Sequence, residues 1–189
     1  MSKERILDAA RTEVIRGGFR FSMNDLSKQL GMSTKTVYEF FSSKEDLLKD
    51  LLDASLAEIV QKEQQLMSNS SLSIPSKLRQ ALVMLPDDLG MFDLQRLSEL
   101  QRYYPAVWSQ LDRFIASHWD EIRQLIHTGQ ASGELRSFDT DVFVQVYIGG
   151  LYRLMEQPAK GSWNGSTLSA ALQEMVDMLL EGVLPKEGS

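Results

Sequence analysis

The sequence predicts an all-α fold, in which a small N-terminal group of helices is followed by a larger helical body. Apolar residues recur every three or four positions through most of the 189 residues, which is the period of one helix face. Helix-capping serines precede several of these segments, and glycine or proline follows them. With 43% hydrophobic residues, the chain has enough apolar side chains to bury a core.

The first four predicted helices occupy the N-terminal third of the chain. They are a helix over 4–16 that Gly17 and Gly18 end, a short helix capped by Ser22 and ended by Gly31, a helix capped by Ser33 that reaches about Phe41, and a long helix from Lys44 to about Met67. The polar residues 68–71 and then Pro75 mark the loop that follows.

The body is predicted to be helical as well. Helices are expected near 75–85 and 88–101, and then over 105–130, 139–157 and 168–183. The segment 139–157 is apolar on nearly every side, and its β-branched residues would also permit a buried strand. We favour a helix there because the segment is long and the sequence offers no partner strand.

The net charge differs between the N-terminal helices and the body. Residues 1–50 hold 9 Lys+Arg and 8 Asp+Glu, a net charge of +1, which leaves 11 and 18, a net charge of −7, for 51–189. We therefore expect domains over 1–48 and 49–184 and a tail over 185–189. The absence of cysteine excludes disulfides and thiol catalysis. Neither a leader peptide nor a membrane-spanning apolar stretch is evident, so we expect a cytoplasmic protein.

The segment 22–41 is typical of a helix-turn-helix, which consists of two short helices joined by a tight turn at Gly31. On a helical wheel, the apolar side of the second helix comprises Val37, Phe40 and Phe41. The opposite side carries the polar groups Lys35, Thr36, Tyr38 and Glu39, which would face a major groove. Lys44 adds a cation beside the backbone amides that begin the next helix.

Two runs of residues carry a resemblance to a known family. The run Asp25 to Ser33 (DLSKQLGMS), followed by Thr36 to Leu47 (TVYEFFSSKEDL), resembles the DNA-binding signature of the TetR family of transcriptional regulators. The likeness covers about the first quarter of the chain. Ser27 stands where alanine is usual, and Lys35 where many members have glycine, and these departures bear on the choice of operator.

The resemblance implies a three-helix DNA-binding domain followed by a helical domain for ligand binding and dimerisation. It implies Thr36, Tyr38 and Lys44 as phosphate contacts, with Asn24, Thr34 and Lys35 among the candidates for reading bases. The full set expected at the DNA comprises Ser22, Asn24, Ser33, Thr34, Lys35, Thr36, Tyr38 and Lys44. The implied activity is repression from a palindromic operator by a homodimer, with release by a small, largely apolar effector.

Dimerisation is expected through the last two helices. A helix that is apolar all round must be covered on all sides, so 139–157 needs both an internal neighbour and a second subunit. Gly149 and Gly150 would permit close approach, and with 168–183 the segment would form a four-helix interface. The alternative is that both helices are wholly buried within a monomer.

A ligand pocket is expected among aromatic and methionine side chains of the body, each of which also suits an ordinary core position. The candidates are Met84, Phe92, Tyr103, Trp108, Phe114, His118 and Tyr147, with Trp119 nearby. His118 lies between Ile115 and Ile122, where it would either orient a ligand or serve as a buried core histidine. On one continuous helix His127 would lie on the opposite side, so neither a metal site nor another cofactor is expected.

Two other classes of function remain open from the residues alone. One is a TetR-like adaptor that binds a protein partner and no operator. The other is an all-helical enzyme that uses His118 with Glu121. The sequence shows no phosphate-binding glycine loop, nucleophile elbow or paired-carboxylate motif that would favour an enzyme.

Overall fold

The computed structural model describes residues 3–85, 94–156 and 167–183, and these residues form ten α-helices and a 3-10 turn without a β-strand. In chain order the elements are α1 (Lys3–Gly17), the 3-10 turn Gly18–Arg20, α2 (Met23–Leu30), α3 (Thr34–Phe40), α4 (Lys44–Ser68), α5 (Ile74–Leu82), α6 (Leu94–Tyr103), α7 (Pro105–Ser117), α8 (Asp120–Ser132), α9 (Thr140–Glu156) and α10 (Leu168–Glu181). The all-α prediction is confirmed.

The first three helices and the start of α4 form a head. Its core is built from the buried side chains Ile6, Ala10, Val14, Leu26, Val37, Phe41 and Leu47. Ser22, Ser33 and Ser43 cap α2, α3 and α4, each accepting a hydrogen bond from a backbone N–H three residues on. Gly31 ends α2 with φ of +65°, a left-handed conformation that other residues resist.

The helix α4 belongs to both parts of the molecule. It packs against α1 of the head and against α5 and α7 of the body, and the buried apolar core runs without interruption from one part to the other. The expected domain boundary at residue 48 lies within this helix, so the two parts share an element. The boundary stays a prediction.

The body differs from the sequence prediction in one element. The helix expected over 105–130 is broken between α7 and α8, at His118 and Trp119. The indole N–H of Trp119 donates to the carbonyl of Ile115, which a continuous helix would offer to the backbone N–H of the same residue. A side chain has therefore replaced a backbone donor. The wheel that set His118 opposite His127 does not apply across this break.

The remaining helices of the body close around the core. α5 packs against α8, α9 packs against α6, α8 and α10, and α10 also packs against α5. A Cβ on Gly150 would meet the sulfur of Met175, so this glycine permits the close approach of α9 to α10 within one chain. Among the described residues, we find no helix with the length and apolarity needed to span a membrane.

Candidate nucleic-acid interface and internal cavity

The turn between α2 and α3 is fixed by hydroxyl groups. Ser27 is buried, and its Oγ donates to the carbonyl of Asn24 at 2.8 Å and lies 3.1 Å from Oγ1 of Thr34. Oγ1 of Thr34 also lies 3.3 Å from Oδ1 of Asn24. The serine that stands in place of the usual alanine is thus a polar link between the two helices, and its buried hydroxyl has hydrogen-bond partners.

Two of the residues expected at the DNA serve as helix caps. Ser22 and Asp25 form a capping box, in which Oγ and the backbone N–H of Ser22 donate to the Asp25 carboxylate. These bonds hold the pKa of Asp25 below its usual range. Ser33 caps α3, and its Oγ lies 2.8 Å from Oγ1 of Thr36. Ser22, Ser33 and Thr36 therefore order the helix starts and still lie at the surface of the head.

The exposed side of α3 presents Lys35 and Tyr38. Both side chains are exposed, and neither has a hydrogen-bond or ion-pair partner among the described residues. Val37 on the opposite side is fully buried, as expected. Phe40 differs from the prediction, because it is the last residue of α3 and is 39% exposed, whereas Phe41 alone turns into the core.

Lys44 begins α4 as predicted, but its ammonium group has partners within the protein. Its ammonium donates to the backbone carbonyls of Phe19 and Phe21 and lies 4.2 Å from the centre of the Phe21 ring and 5.4 Å from that of Tyr104. The group binds the end of the 3-10 turn, whose carbonyls lack helical partners. The expected phosphate contact by this ammonium does not fit this conformation.

The same turn joins the head to the body. Arg20 forms an ion pair with Glu99 of α6 at 2.7 Å, and the hydroxyl of Tyr104 donates to the carbonyl of Phe19 at 3.5 Å. The rings of Phe19 and Tyr104 are 6.3 Å apart. We call this group, with Phe21 and Lys44, the head–body junction.

An internal cavity of about 110 Å³ lies in the body, between α4, α5, α7, α8, α9 and the start of α10. Its lining residues are mostly aliphatic, and the remainder are Glu63, Met84, Phe114, His118, Trp119, Tyr147 and Met155. Four of the seven pocket candidates are thus brought together: Met84, Phe114, His118 and Tyr147. Trp108 packs half-buried against the core and does not line the cavity. Tyr103 is 60% exposed, and Phe92 lies outside the described residues.

The aromatic polar atoms in the cavity wall already have partners. The hydroxyl of Tyr147 donates to the carbonyl of Leu82 at 2.5 Å, and burial raises the pKa of this tyrosine. The indole N–H of Trp119 donates to the carbonyl of Ile115. The rings of Trp119 and Tyr147 meet edge to face, with their centroids 5.2 Å apart. These residues shape the cavity, and their polar atoms are committed to the backbone.

The sequence analysis did not predict the acidic residue of the cavity wall. Glu63 of α4 is only 7% exposed, and its Oε2 accepts a hydrogen bond from Nε2 of His118 at 2.8 Å. The signal was present in the sequence, because Glu63 occupies a position in the apolar stripe of Leu56, Ile59 and Leu66. Burying a carboxylate at such a position is costly unless it is paired with a hydrogen-bond donor or binds another group.

Comparisons with known proteins agree on one family. The model of the bacterial regulatory proteins of the tetR family matches residues 6–51. The uncharacterized HTH-type transcriptional regulator YvaF of Bacillus subtilis (strain 168) is 32% identical over 186 residues, which are 97% of this chain and 96% of that protein. The family likeness therefore extends from the helix-turn-helix through the body.

Solved structures share the fold at lower identity. A transcriptional regulator from Saccharomonospora viridis in complex with choline has a TM-score of 0.73 and 20% identity, with 97% of each chain covered. The regulator FadR from Bacillus subtilis in complex with stearoyl-CoA has a TM-score of 0.65 and 16% identity, with 96% of this chain and 99% of that chain covered. Joined to the near full-length likeness to YvaF, these findings show that this chain belongs to the TetR family of transcriptional regulators, which are DNA-binding proteins and not enzymes.

Proposed function

We propose that this chain is a homodimeric repressor that binds a palindromic operator through α3 and is released by a small, largely apolar effector. One observation carries the proposal: α3 turns Lys35 and Tyr38 outward, while Val37 on its other side is fully buried. A recognition helix needs this combination, because base and phosphate contacts are made from a fixed footing. A cytoplasmic location is part of the proposal, because the operator DNA lies there.

The proposed DNA contacts follow from the surface of the head. Lys35 and Tyr38 have side chains without other partners in the described part of the chain, so they are the first choice for a base edge or phosphate. Asn24, Thr34 and Thr36 lie on the same side but also hold the α2–α3 turn together. Ser22 and Ser33 would offer the backbone amides of two helix starts to phosphates.

The proposed dimer uses an apolar stripe that the described structure leaves uncovered. Val142 and Val146 of α9 are 59% and 52% exposed, and Gly149 continues the same helix face. Met178 of α10 is also exposed. Adjacent exposed apolar residues on two neighbouring helices are typical of a surface that pairs across a two-fold axis. Two heads held in this way would enter major grooves about 34 to 36 Å apart.

The proposed effector site is the internal cavity. Related folds hold choline in the S. viridis regulator and stearoyl-CoA in FadR of B. subtilis, so this architecture accepts ligands of different size and charge. Glu63 brings α4 into the cavity wall, and the same helix begins at the head–body junction. A ligand that binds one position of α4 better than another would shift the separation of the two heads.

A gel shift with duplexes from the DNA upstream of the chain's own gene tests this function. For Lys35→Ala we expect weaker binding and a salt slope smaller by about two, because each subunit of the proposed homodimer loses one phosphate contact. Tyr38→Phe removes only a hydroxyl and should weaken binding less. Arg113→Ala removes an exposed cation of the body and should change neither quantity.

The outcome also separates the alternatives. A protein that bound only a protein partner would show no preference for one duplex over another, and Lys35→Ala would alter nothing. Equal binding of all duplexes by the wild-type protein, with the same affinity in both head variants, would overturn the proposed repressor.

A further inference from the structure

The cavity contains one acidic residue in otherwise apolar surroundings. Glu63 is buried, and the two residues of α4 that line the cavity with it, Ile59 one turn before it and Leu56 two turns before it, are aliphatic. Removing a carboxylate from water is costly unless it is paired and hydrogen-bonded. Because an apolar residue at this position would complete the stripe of α4, packing alone does not account for the acid.

The pairing of Glu63 is incomplete. Nε2–H of His118 donates to Oε2 at 2.8 Å, but Oε1 accepts no hydrogen bond from any of the described residues. His118 belongs to the break between α7 and α8, and its ring stacks on Phe114 with centroids 4.7 Å apart. The histidine is partly exposed and the glutamate is not. One carboxylate oxygen thus remains for a further donor.

The charge of the wall favours one class of ligand. Among the described residues that line the cavity, Glu63 is the acid, and neither lysine nor arginine contributes a side chain. An anionic ligand would meet the Glu63 carboxylate without a lysine or arginine among these lining residues to offset it. An ammonium group could bind Oε1 in a space that is also lined by the aromatic residues Phe114, Trp119 and Tyr147, and aromatic rings attract cations.

We propose that the cavity binds a compact, apolar amine, with its ammonium group on Glu63 and its hydrocarbon part among the aliphatic and aromatic side chains. The proposal deepens the effector site described above and rests on that proposed function for its regulatory meaning. The volume of about 110 Å³ limits the occupant in this conformation to a small molecule. His118 keeps its hydrogen bond or yields Oε2 to the ligand.

Three probes of nearly equal shape test the charge preference of the full-length protein: 3-methylbutylamine, 3-methylbutanol and 3-methylbutanoate at pH 7. Their Kd values are measured by ligand-observed NMR or by thermal-shift titration. We expect the amine to bind about tenfold or more tightly than the alcohol, because a charge-assisted bond replaces a neutral one, and the acid to bind weakest.

The variant Glu63→Gln is isosteric and retains an oxygen that accepts from His118. It should bind the alcohol with unchanged Kd and lose the preference for the amine. Glu121→Gln makes the same change on the exposed start of α8, outside the cavity, and should keep the preference. Equal Kd values for amine and alcohol in the wild type, no binding of any probe, or a preference that survives Glu63→Gln would each overturn the proposal.

A gel shift on the same samples keeps this proposal distinct from the proposed function. If the amine binds through Glu63 but leaves DNA affinity unchanged, the site assignment stands and ligand-controlled repression fails. If DNA binding responds to the alcohol and the amine equally, the repressor stands and the assignment of Glu63 as an ammonium site fails.

Discussion

The ammonium group of Lys44 lies among carbonyl oxygens and aromatic rings at the head–body junction. Burial lowers its pKa to about 8, and the nearby carboxylate of Asp25 acts in the opposite direction. A lysine with a lowered pKa in the folded state binds fewer protons than it does in the unfolded chain. The consequence is a pH dependence of stability in the alkaline range.

The sign of that dependence follows from proton linkage. Between pH 8 and the ordinary value of 10.5, the unfolded chain retains a proton on Lys44 that the folded chain has released. The contribution of this group to the unfolding free energy therefore rises with pH across this window and is flat below it. Because Lys44 is only half-buried, solvent screening keeps the effect smaller than the full shift in pKa would imply.

Urea unfolding of the wild type and of Lys44→Met at several pH values measures this contribution. We expect the difference in unfolding free energy, wild type minus variant, to increase from pH 8 to about 10. Arg20→Met creates the same residue at an exposed cation of the junction that stays protonated throughout, so its difference should not change with pH. A flat profile for Lys44→Met would contradict the lowered pKa.

At this scale the sequence predicted local features well and distant pairs poorly. The caps Ser22 and Ser33 and the outward groups Lys35 and Tyr38 follow from a few neighbouring positions. Glu63 and His118 are 55 positions apart, and the residues around either one do not indicate which residue it pairs with. Lys44 was placed correctly at a helix start, but its direction depends on carbonyls 23 and 25 residues earlier in the chain.

Among the elements, the break between α7 and α8 shows where periodicity is insufficient. The apolar stripe of 105–130 continues through the break, because both helices face the same core. The sequence thus predicts the buried face but not the interruption, which depends on the Trp119 side chain competing for the Ile115 carbonyl. His118 lies at this break and contacts Glu63 of α4, and this orientation brings the histidine into the cavity wall.

Gly129 allows α8 to lie close to α5. A Cβ at this position would lie 2.7 Å from Cγ2 of Ile74 and 2.8 Å from Cδ1 of Leu135. The helix continues past Gly129 to Ser132, and Gly133 ends it with φ of +78°. The function of Gly129 is therefore close packing and not termination.

We expect Gly129→Ala to lower the unfolding free energy by about 1 to 3 kcal/mol, because the added methyl group overpacks the contact between α5 and α8. Thr128→Ala places the same residue on the exposed side of α8 and should change stability by less than about 0.5 kcal/mol. Urea unfolding monitored by circular dichroism compares the two variants. Equal stability of Gly129→Ala and wild type would show that the two helices separate at little cost.

For the whole molecule, the uncovered stripe on α9 sets the assembly that we propose. Internal neighbours cover one side of this helix, where Phe143, Val144 and Tyr147 are buried, but Val142 and Val146 remain open to solvent. The sequence predicted that this helix needs partners on all sides, and the described chain supplies only some of them. The second copy stays a prediction.

A charged substitution in the exposed apolar stripe of α9 tests the proposed dimer interface. We expect Val146→Glu to weaken dimerisation by about tenfold or more, because two copies of the glutamate would lie near the two-fold axis without water or a cation. Ala116→Glu introduces the same side chain on the exposed face of α7 and should leave the dimer intact. Sedimentation velocity over a dilution series gives both dissociation constants. A wild type that is already monomeric, or a Val146→Glu protein that dimerises normally, would contradict the interface.

Because α4 is long, a small tilt of the helix at the cavity produces a larger displacement at its first turn in the head. At about 1.5 Å per residue, the 25-residue helix is about 37 Å long, and Glu63 lies about 28 Å from its first turn. A tilt of about 5° that pivots at the cavity would displace that first turn by roughly 2 Å, which is comparable to a hydrogen-bond length. If the proposed function holds, a small ligand in the cavity of each subunit would in this way misalign the recognition helix of that subunit without touching it.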